Sequence, residues 1–253
     1  MEILRVNKID HSILCIECNS KKIWSRNLCD RCYRKKARRG GFDRPVMPVV
    51  LSDYQKEVLD GLMLGDGCLF KYKPTHNPYL AICRQYTDRA YLEYHREIFE
   101  PFIVQPIIDK FVFDHRTKQT YNSSRLVTRH NSAMDSVYER WYQNGIKHIP
   151  NNLILTSVVV ATWFCDDGWV GFSSKSNKGL RLKMSTHGFA HDDVVALAEM
   201  LNRRYVYGFK VYKDHDASYI SAAHMPTKCM LEDIAEYIPD CMSRKLACWH
   251  AII

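Results

Sequence analysis

The chain has 253 residues, of which 46% are apolar and 25% are charged. This balance is typical of a globular protein and excludes a collagen-like or intrinsically disordered chain. No apolar run reaches the roughly 20 residues that a membrane-spanning helix needs. The first residues include two acidic side chains and no apolar stretch, so they do not form a secretory signal. We therefore expect a soluble intracellular protein, in the cytoplasm, the nucleoid or an organelle matrix.

The positive charge is concentrated near the N-terminus. The whole chain carries 36 Lys and Arg against 28 Asp and Glu, a formal charge of +8. Residues 1–44 hold 12 basic and five acidic side chains, whereas the remaining 209 residues hold 24 and 23. A basic terminal segment beside a nearly neutral body is typical of an appendage that binds a polyanion. The alternative is an ordinary solvated surface rich in Lys and Arg.

Four of the ten cysteines form two pairs with metal-ligand spacing. Cys15 and Cys18 are separated by two residues, as are Cys29 and Cys32, and ten residues lie between the pairs. Four thiolates at such spacing supply the closed tetrahedral coordination of a structural Zn²⁺ ion, and metal binding would help so short a segment to fold. The sequence therefore predicts a zinc module in residues 1–44. A redox pair or plain buried thiols are the alternatives.

Two apolar helices in the rest of the chain carry the same ending. The first follows Ser52 and Gln55, which together form a capping box, and it covers Leu59–Gly67. The second covers Val160–Gly168, about 101 residues further on. Both are apolar until the last turn, so both are expected to be buried. Both end in an Asp-Gly step.

The position of these aspartates predicts a cation site. A helix C-terminus carries about half a negative charge, so Asp66 and Asp167 are each disfavoured there by about 0.3–1 kcal/mol. Packing the two helices together would bring the carboxylates close, and a cation between them would remove the repulsion. Hard oxygen ligands favour Mg²⁺. The small residues Gly61 and Gly65 would permit this packing. The alternative is that each Asp-Gly is only a turn that ends a buried helix.

These motifs resemble those of the LAGLIDADG homing endonucleases. The first helix matches the family signature at Leu59, Gly61, Leu62, Asp66 and Gly67. Lys147–Pro150 followed by Trp163–Gly168 resembles the second half of the two-repeat, single-chain branch. The likeness covers about residues 50–250. A local likeness from Leu28 to Arg39 is to the small zinc fingers appended to phage-type members.

The resemblance implies an α+β fold with two pseudo-symmetric αββαββα repeats that form a DNA-binding β-saddle. We place the zinc module in residues 1–44 and the repeats in residues 45–150 and 151–253. After the first helix we predict β, β, α, β, β and α elements at residues 67–72, 79–85, 88–99, 110–116, 125–129 and 133–143. After the second helix the same series is predicted at residues 170–173, 180–187, 192–203, 209–213, 218–223 and 226–237.

The resemblance also implies a site-specific double-strand DNA endonuclease. Its divalent metal would be held by Asp66 and Asp167, with the main-chain carbonyls of Gly65 and Asp166 as further oxygen ligands. Because both repeats lie on one chain, we expect a monomer. Because the strand residues of the halves differ, we expect a long, asymmetric DNA site. The chain does not end in a His-Asn pair, so we expect a free-standing or intron-encoded protein and not an intein.

Four further catalytic candidates come from the same similarity. Lys147 and Lys245, which lie 98 residues apart, would offset charge on the reacting phosphate or orient water. Gln85 and His187 fall where relatives often carry a water-positioning Gln. His187 departs from that pattern, which leaves open whether the two strands are cut at equal rates.

The strand residues predict a face for nucleic acid. Residues 180–187 alternate, with Arg181, Lys183, Ser185 and His187 on one face and apolar side chains on the other. Such a β-ribbon fits the major groove, where Arg and Lys pair with guanine edges or phosphates. The predicted DNA-binding residues are Arg34, Lys35, Arg38, Arg39, Lys71, Lys73, Arg84, Arg116, Lys118, Arg125, Arg129, Lys175, Arg181, Lys183, Lys210 and Lys213. For any one of them the alternative is a solvated surface charge.

Three other functions remain compatible with the sequence. An RNA maturase that helps an intron to fold would also use basic strands. A DNA-binding regulator that does not cut would leave Asp66 and Asp167 unexplained. A zinc-dependent nuclease centred on His115 and His130 is the weakest alternative, because these residues lack ligand spacing.

Overall fold

A computed structural model describes residues 14–19, 28–38, 50–173, 179–215 and 217–251. The chain divides into two units, residues 1–46 and 47–253. Arg39 and Lys175, both predicted to bind DNA, lie outside the described residues. Within the described ranges, no helix has the length and apolar character needed to cross a membrane.

The described part of the first unit gathers the paired cysteines around a short basic helix. This helix, α1 (Asp30–Arg38), begins directly after Cys29 and contains Cys32 in its first turn. Cys15, Leu28 and Cys29 are buried together, and Cys32 packs against them. Among the described residues of this unit, the buried cluster therefore consists mainly of cysteine side chains.

The second unit begins with a series of seven elements that form the first repeat. They are α2 (Asp53–Leu64), β1 (Gly67–Phe70), β2 (Tyr79–Gln85), α3 (Arg89–Ile98), β3 (Ile108–Asp114), β4 (Gln119–Val127) and α4 (Asp135–Trp141). A two-stranded hairpin then leads into the second repeat, formed by β5 (Tyr142–Gln143) and β6 (Ile146–Lys147).

The second repeat has the same order of elements. They are α5 (Ser157–Asp167), β7 (Gly168–Phe172), β8 (Leu180–Ser185), α6 (His191–Arg204), β9 (Lys210–Asp214), β10 (Ala217–Ala222) and α7 (His224–Ile234). A 3₁₀ segment, Asp240–Leu246, and the short helix α8 (Ala247–His250) follow.

The two repeats share one sheet topology. The strand orders are β1-β2-β4-β3 and β7-β8-β10-β9, and every neighbouring pair is antiparallel. In the first sheet Gly67 pairs with Ile82, and in the second Gly168 pairs with Met184. Residues 82 and 184 are therefore equivalent. The predicted α+β fold with two αββαββα halves is confirmed.

The central helices α2 and α5 pack closely because small residues line their contact. A Cβ on Gly61 would lie only 2.5 Å from Cβ of Thr162, and one on Gly65 would lie 2.3 Å from Oδ2 of Asp166. The predicted capping box starts α2, with Gln55 donating its N–H to the Ser52 hydroxyl. The apolar residues of both helices are buried in one continuous core.

One charged residue is buried within α2. Asp60 accepts a 2.8 Å hydrogen bond from the indole N–H of Trp141 and also pairs with Arg140. Both partners lie at the end of α4, so this carboxylate joins the first and last helices of its repeat. A buried carboxylate with two donors is stabilised, whereas an unpaired one would strongly destabilise the fold.

Several predicted boundaries differ from the observed ones. The strand β4 was predicted at residues 125–129 but runs from Gln119 to Val127. Its first residues are polar and exposed, because they form an arm with β3 that extends beyond the core. The helix α7 was predicted at residues 226–237 but ends at Ile234, where a 3₁₀ turn takes over.

Candidate active site and nucleic-acid interface

The two aspartates that end the central helices lie at the centre of the second unit. Asp66 follows α2, and 38% of its side chain is exposed. Asp167 is the last residue of α5. Burial raises the pKa of Asp167 to about 6, and the negative charge of Asp66 adds to this effect. The two carboxylates are therefore near enough to repel each other.

A lysine lies at the end of each central helix. Lys147 Nζ donates a 2.9 Å hydrogen bond to the carbonyl of Gly67. Lys245 Nζ donates a 2.6 Å hydrogen bond to the carbonyl of Gly168. Burial lowers the pKa of both lysines, while nearby acidic groups oppose that shift. The two ammonium groups thus occupy equivalent places in the two repeats.

Two cavities group these residues into half-sites. The first half-site is a cavity of about 490 Å³ whose lining includes Asp66, Gln85 and Lys245. The second is a cavity of about 300 Å³ whose lining includes Asp167, His187 and Lys147. Gln85 lies three residues beyond Ile82, and His187 lies three beyond Met184, so the sheet register makes them equivalent. Each half-site therefore contains one of the two helix-ending aspartates, one of the two lysines, and either Gln85 or His187.

The oxygens at this position fit a hard divalent cation. Asp66 and Asp167 lie in partly buried surroundings and repel each other, and the neighbouring lysines donate to main-chain carbonyls instead of pairing with these carboxylates. Asp66 and Asp167, with the Gly65 and Asp166 carbonyls, would provide oxygen ligands of the kind Mg²⁺ takes. The carbonyl of Asp166 also lies 3.4 Å from Lys245 Nζ.

The side chain of Asp166 is engaged elsewhere. It is fully buried and accepts hydrogen bonds from the backbone N–H of Asp66 at 3.0 Å and from Arg84 at 3.2 Å. Burial raises the pKa of Asp166 to about 8. The two N–H donors act in the other direction, because each stabilises the carboxylate form.

Arg84 was predicted to contact DNA, and its position differs from that prediction. Only 7% of its side chain is exposed, and its guanidinium pairs with Asp66, Asp88 and Asp166. Burial lowers the pKa of Arg84, but the surrounding carboxylates outweigh burial and raise it overall. The ion pairs of Arg84 and of Asp88 with Arg244 were not foreseen from the sequence. The period-two pattern of β2 contained the signal, because Arg84 lies on the same strand face as the buried residues Leu80 and Ile82.

Some of the predicted DNA-binding residues share one side of the sheets. We call the sheet side that faces away from the core the open face; it carries the cross-strand neighbours Cys83 and Arg125 and the neighbours Trp169 and Lys183. Four predicted residues project from its strands: Arg125, Arg181, Lys183 and Lys210. Lys73, Arg116 and Lys118 lie in the turns between strands, and Arg129 follows β4.

Two more of these residues do not lie on the open face. Lys213 is exposed, but it shares the strand face of Val211, which pairs with the buried Ile220. Lys71 follows Phe70 of the open face and contacts α4, where its Nζ lies 3.2 Å from Asp135. Their positions follow from the period-two alternation of the strands.

The open face also exposes aromatic side chains that the sequence reasoning did not single out. Trp169 is 55% exposed and lies beside Lys183, while Tyr121 is 51% exposed at the arm formed by β3 and β4. The Nζ of Lys183 lies 4.2 Å from the centre of the Tyr219 ring. Exposed aromatic rings interleaved with cations are suited to contacts with nucleotides.

In the first unit, the four paired cysteines converge. The sulfurs of Cys15, Cys18, Cys29 and Cys32 all lie within 4.8 Å of one another. The sulfurs of Cys18 and Cys29 are 3.8 Å apart, which is about the edge of a tetrahedron with 2.3 Å zinc–sulfur bonds. Burial opposes ionisation of Cys15, but backbone N–H groups of Cys29, Cys18 and Glu17 lower its pKa overall. The donor set fits a soft or borderline metal such as zinc.

Arg34 and Lys35 lie exposed on α1, and Arg34 pairs with Asp30 at 2.7 Å. Arg38 is the last residue of the helix.

Comparison with known proteins places this architecture. Residues 56–228 match the LAGLIDADG DNA endonuclease family, and this span includes most of α2, all of α5 and both four-stranded sheets. The chain belongs to the LAGLIDADG DNA endonuclease family. The family likeness inferred from the sequence motifs is therefore confirmed.

Three relatives illustrate the range of this LAGLIDADG protein's matches. An uncharacterised protein of Methanocaldococcus jannaschii is 28% identical over 204 residues, which cover 79% of this chain and 76% of the relative. A probable intron-encoded endonuclease of Wickerhamomyces canadensis is 27% identical over a stretch that covers 61% of this chain and 67% of the relative. A cytochrome b mRNA maturase of Debaryomyces hansenii is 30% identical over a stretch that covers 44% of this chain and 42% of the relative.

A solved structure supports the fold. The homing endonuclease I-WcaI bound to its DNA recognition sequence superposes with a TM-score of 0.73 and 22% identity. The match covers 88% of this chain and 94% of the other. At this level of identity the likeness establishes the shared fold.

Proposed function

We propose that this LAGLIDADG protein is a homing endonuclease that cuts both strands of a long, asymmetric DNA site. One observation carries the proposal: two carboxylates, Asp66 and Asp167, end two closely packed helices, and each lines a half-site with a half-buried lysine. A duplex presents two phosphodiester bonds, and two half-sites on one chain match that number. A purely structural role does not account for repelling carboxylates in this position.

Each residue in the half-sites has a chemical task. Asp66 and Asp167, with the carbonyls of Gly65 and Asp166, would hold Mg²⁺. The metal, when bound, supplies Lewis-acid stabilisation of the reacting phosphate and activates water. Water attacks phosphorus, and the bond from phosphorus to the leaving sugar oxygen breaks. Lys147 and Lys245 are placed to stabilise the charge that develops on the phosphate oxygens.

Gln85 and His187 would position the attacking waters. Gln85 is the last residue of β2 and His187 lies two residues beyond β8, at equivalent points of the two sheets. Each lines the same cavity as one of the two carboxylates. His187 carries an imidazole ring, whereas Gln85 carries a neutral amide. The two half-sites are therefore chemically unequal.

The open face is the proposed DNA surface. Arg125, Arg181, Lys183 and Lys210 project from its strands, and a four-stranded sheet with a polar, basic face can follow a DNA groove. The side chains of the two sheets differ, so the recognised sequence would be asymmetric. Both repeats belong to one chain, so we infer that a monomer forms the complete site.

The cysteine unit is the proposed zinc finger. Four converging sulfurs would bind one structural Zn²⁺ ion, and the basic helix α1 would contact phosphates beyond the core site. Lys35 and Arg34 are exposed and suited to this role. Reduced zinc-binding thiols fit an intracellular compartment, since disulfides prevail outside the cell.

A second candidate is an intron RNA maturase. The likeness to a cytochrome b mRNA maturase favours it, although that match covers 44% of this chain. The basic open face would serve RNA as well as DNA. A maturase that does not cut would leave the paired carboxylates without a task.

The deciding experiment incubates the purified protein with a library of candidate DNA targets, in Mg²⁺ and in Ca²⁺, and then sequences the ends. We expect Mg²⁺-dependent double-strand cuts at one site, lost in Asp66→Asn and in Asp167→Asn. The exposed Asp192→Asn is the matched control and should cut normally. DNA fragments bound without cut ends would contradict the endonuclease and favour a regulator, and binding of intron RNA alone would favour the maturase.

A further inference from the structure

The two half-sites differ by a network of charged side chains that is present on one side only. Arg84 pairs with Asp66, Asp88 and Asp166, and Arg244 donates a 2.8 Å hydrogen bond to Asp88. All of these residues line the first half-site, the cavity that also contains Gln85 and Lys245.

The sheet register identifies the counterpart of each residue. Arg84 lies two residues beyond Ile82, so its counterpart two beyond Met184 is Thr186. Thr186 is buried and donates its hydroxyl to the carbonyl of Ser218 at 2.7 Å. Where Arg84 brings a positive charge to Asp66, the second repeat therefore has an uncharged group.

The other members of the network also lack charged counterparts. Asp88 precedes α3 as Ala190 precedes α6. Asp166 directly precedes Asp167, and the residue that directly precedes Asp66 is Gly65. Arg244 directly precedes Lys245, and the residue that directly precedes Lys147 is Ile146. The charged set Arg84, Asp88, Asp166 and Arg244 thus corresponds to Thr186, Ala190, Gly65 and Ile146. Because the four differing residues contact one another or the same carboxylate, we interpret them as one functional feature and not as unrelated substitutions.

The position of the guanidinium has a direct chemical consequence. Arg84 bonds the same carboxylate that would hold the metal, and it is fixed there by two further carboxylates. A cation that approaches Asp66 must share that carboxylate with Arg84 and meets a positive charge at close range. The guanidinium forms a direct ion pair with the Asp66 carboxylate. Its charge also lowers the pKa of Asp167, but by less than the charge of Lys245 does.

Resting on the endonuclease function proposed above, we propose that Arg84 competes with the divalent metal for Asp66, so that the half-site of Asp66 fills at a higher metal concentration than the half-site of Asp167. The strand served by Asp167, Lys147 and His187 is then cut first when metal is limiting. The competition requires no change of protonation and no movement beyond the guanidinium.

The first test measures metal binding without cleavage. Mn²⁺ is titrated into the free protein, and the unbound ion is followed by electron paramagnetic resonance. The double variant Arg84→Thr/Asp166→Gly installs the residues of the other half and leaves Asp88 paired with Arg244. We expect it to bind Mn²⁺ about tenfold more tightly than the natural protein, and adding Asp66→Asn should abolish the gain. Unchanged affinity in the double variant would overturn the proposal.

A second variant guards against a folding defect. Arg84→Lys keeps a positive charge beside the buried Asp166 but cannot span three carboxylates at once. We expect circular dichroism to show a folded protein, with Mn²⁺ affinity between those of the natural protein and the double variant. A folded Arg84→Lys variant that binds Mn²⁺ as weakly as the natural protein would argue against competition.

The second test follows the two strands separately on the cleaved target. With each strand labelled, limiting Mg²⁺ should give nicks in one strand only, and the double variant should cut the two strands at more nearly equal rates. Equal cutting by the natural protein at all Mg²⁺ concentrations would overturn the proposal while leaving the endonuclease function intact. A natural protein that cuts neither strand would refute the endonuclease function, and the Mn²⁺ titration would still decide the role of Arg84.

Discussion

The backbone N–H of Asp66 donates a 3.0 Å hydrogen bond to Oδ2 of Asp166, a residue 100 positions further along the chain. This bond crosses the contact between the two central helices. It joins the residue that ends one helix to the penultimate residue of the other. The geometry of the two half-sites therefore depends on how closely the helices approach.

We predict that Gly65→Ala destabilises the protein by about 1–3 kcal/mol. The added Cβ would lie 2.3 Å from Oδ2 and 2.5 Å from Cβ of Asp166. Asp166 cannot move aside, because Arg84 and the N–H of Asp66 both hold it. Urea unfolding measures the change. Gly188→Ala is the matched control, since a Cβ there meets nothing within 4 Å, and an equal effect in both variants would contradict the packing argument.

The half-buried lysines Lys147 and Lys245 should affect cleavage more than binding. We predict that Lys147→Met and Lys245→Met each slow single-turnover cleavage by about 10²–10³, the usual effect of removing one donor to developing charge. Affinity for uncleaved target in Ca²⁺ should change little. Lys228→Met on the exposed side of α7 serves as the control. Normal cleavage by both single variants would exclude the proposed role of the lysines.

His95 should make the protein sensitive to acid. Burial lowers its pKa to about 3, and the charge of Arg84 acts in the same direction. In the unfolded chain this residue binds a proton from about pH 6.5 downward. The free energy of unfolding is therefore unaffected by His95 above that pH and decreases steadily as the pH falls toward 3. The loss should reach about 3 kcal/mol at pH 4.

The variant His95→Phe tests this acid sensitivity. Its aromatic ring can replace the contacts of His95 with Tyr91 and Tyr94, whose ring centres lie 4.4 and 5.3 Å away. Unfolding free energies measured from pH 4 to pH 8 should show a smaller slope than in the natural protein. An unchanged slope would mean that other groups cause the acid destabilisation.

The cysteine unit should bind one zinc ion per chain. We predict that Cys29→Ala abolishes bound zinc, measured by elemental analysis, and weakens DNA binding. Each phosphate that α1 no longer neutralises should reduce the slope of log affinity against log salt by about 0.9. Cys229→Ala in α7 is the control and should keep the metal. Full zinc content in Cys29→Ala would refute four-sulfur coordination.

The sequence predicted the features that depend on local pattern. The strand β2 was placed at residues 79–85, as observed, because its apolar run has clear limits. The capping box before α2 and the buried character of both central helices also depend on neighbouring residues. The repetition of these elements indicated the two similar halves and the family.

The sequence did not predict the pairing of Arg84 with Asp166, because that pair depends on the register of β2 against α5. Nor did it predict the polar arm of β3 and β4, where the exposed residues Gln119 to Asn122 pair with β3. Side chains were also misassigned where only charge was considered. Lys71 is an example, since its ammonium lies against Asp135 in α4.

The close contact between Gly61 and Thr162 constrains how the sequences of such proteins can evolve. Residues on the open face of one sheet can be replaced without effect on the other sheet, so each half can acquire new sequence preferences alone. The helix contact cannot change in this way, because a larger residue on one helix requires a smaller one opposite it. Exchange of a half between two related proteins should therefore succeed only when both partners of this contact are transferred or already match.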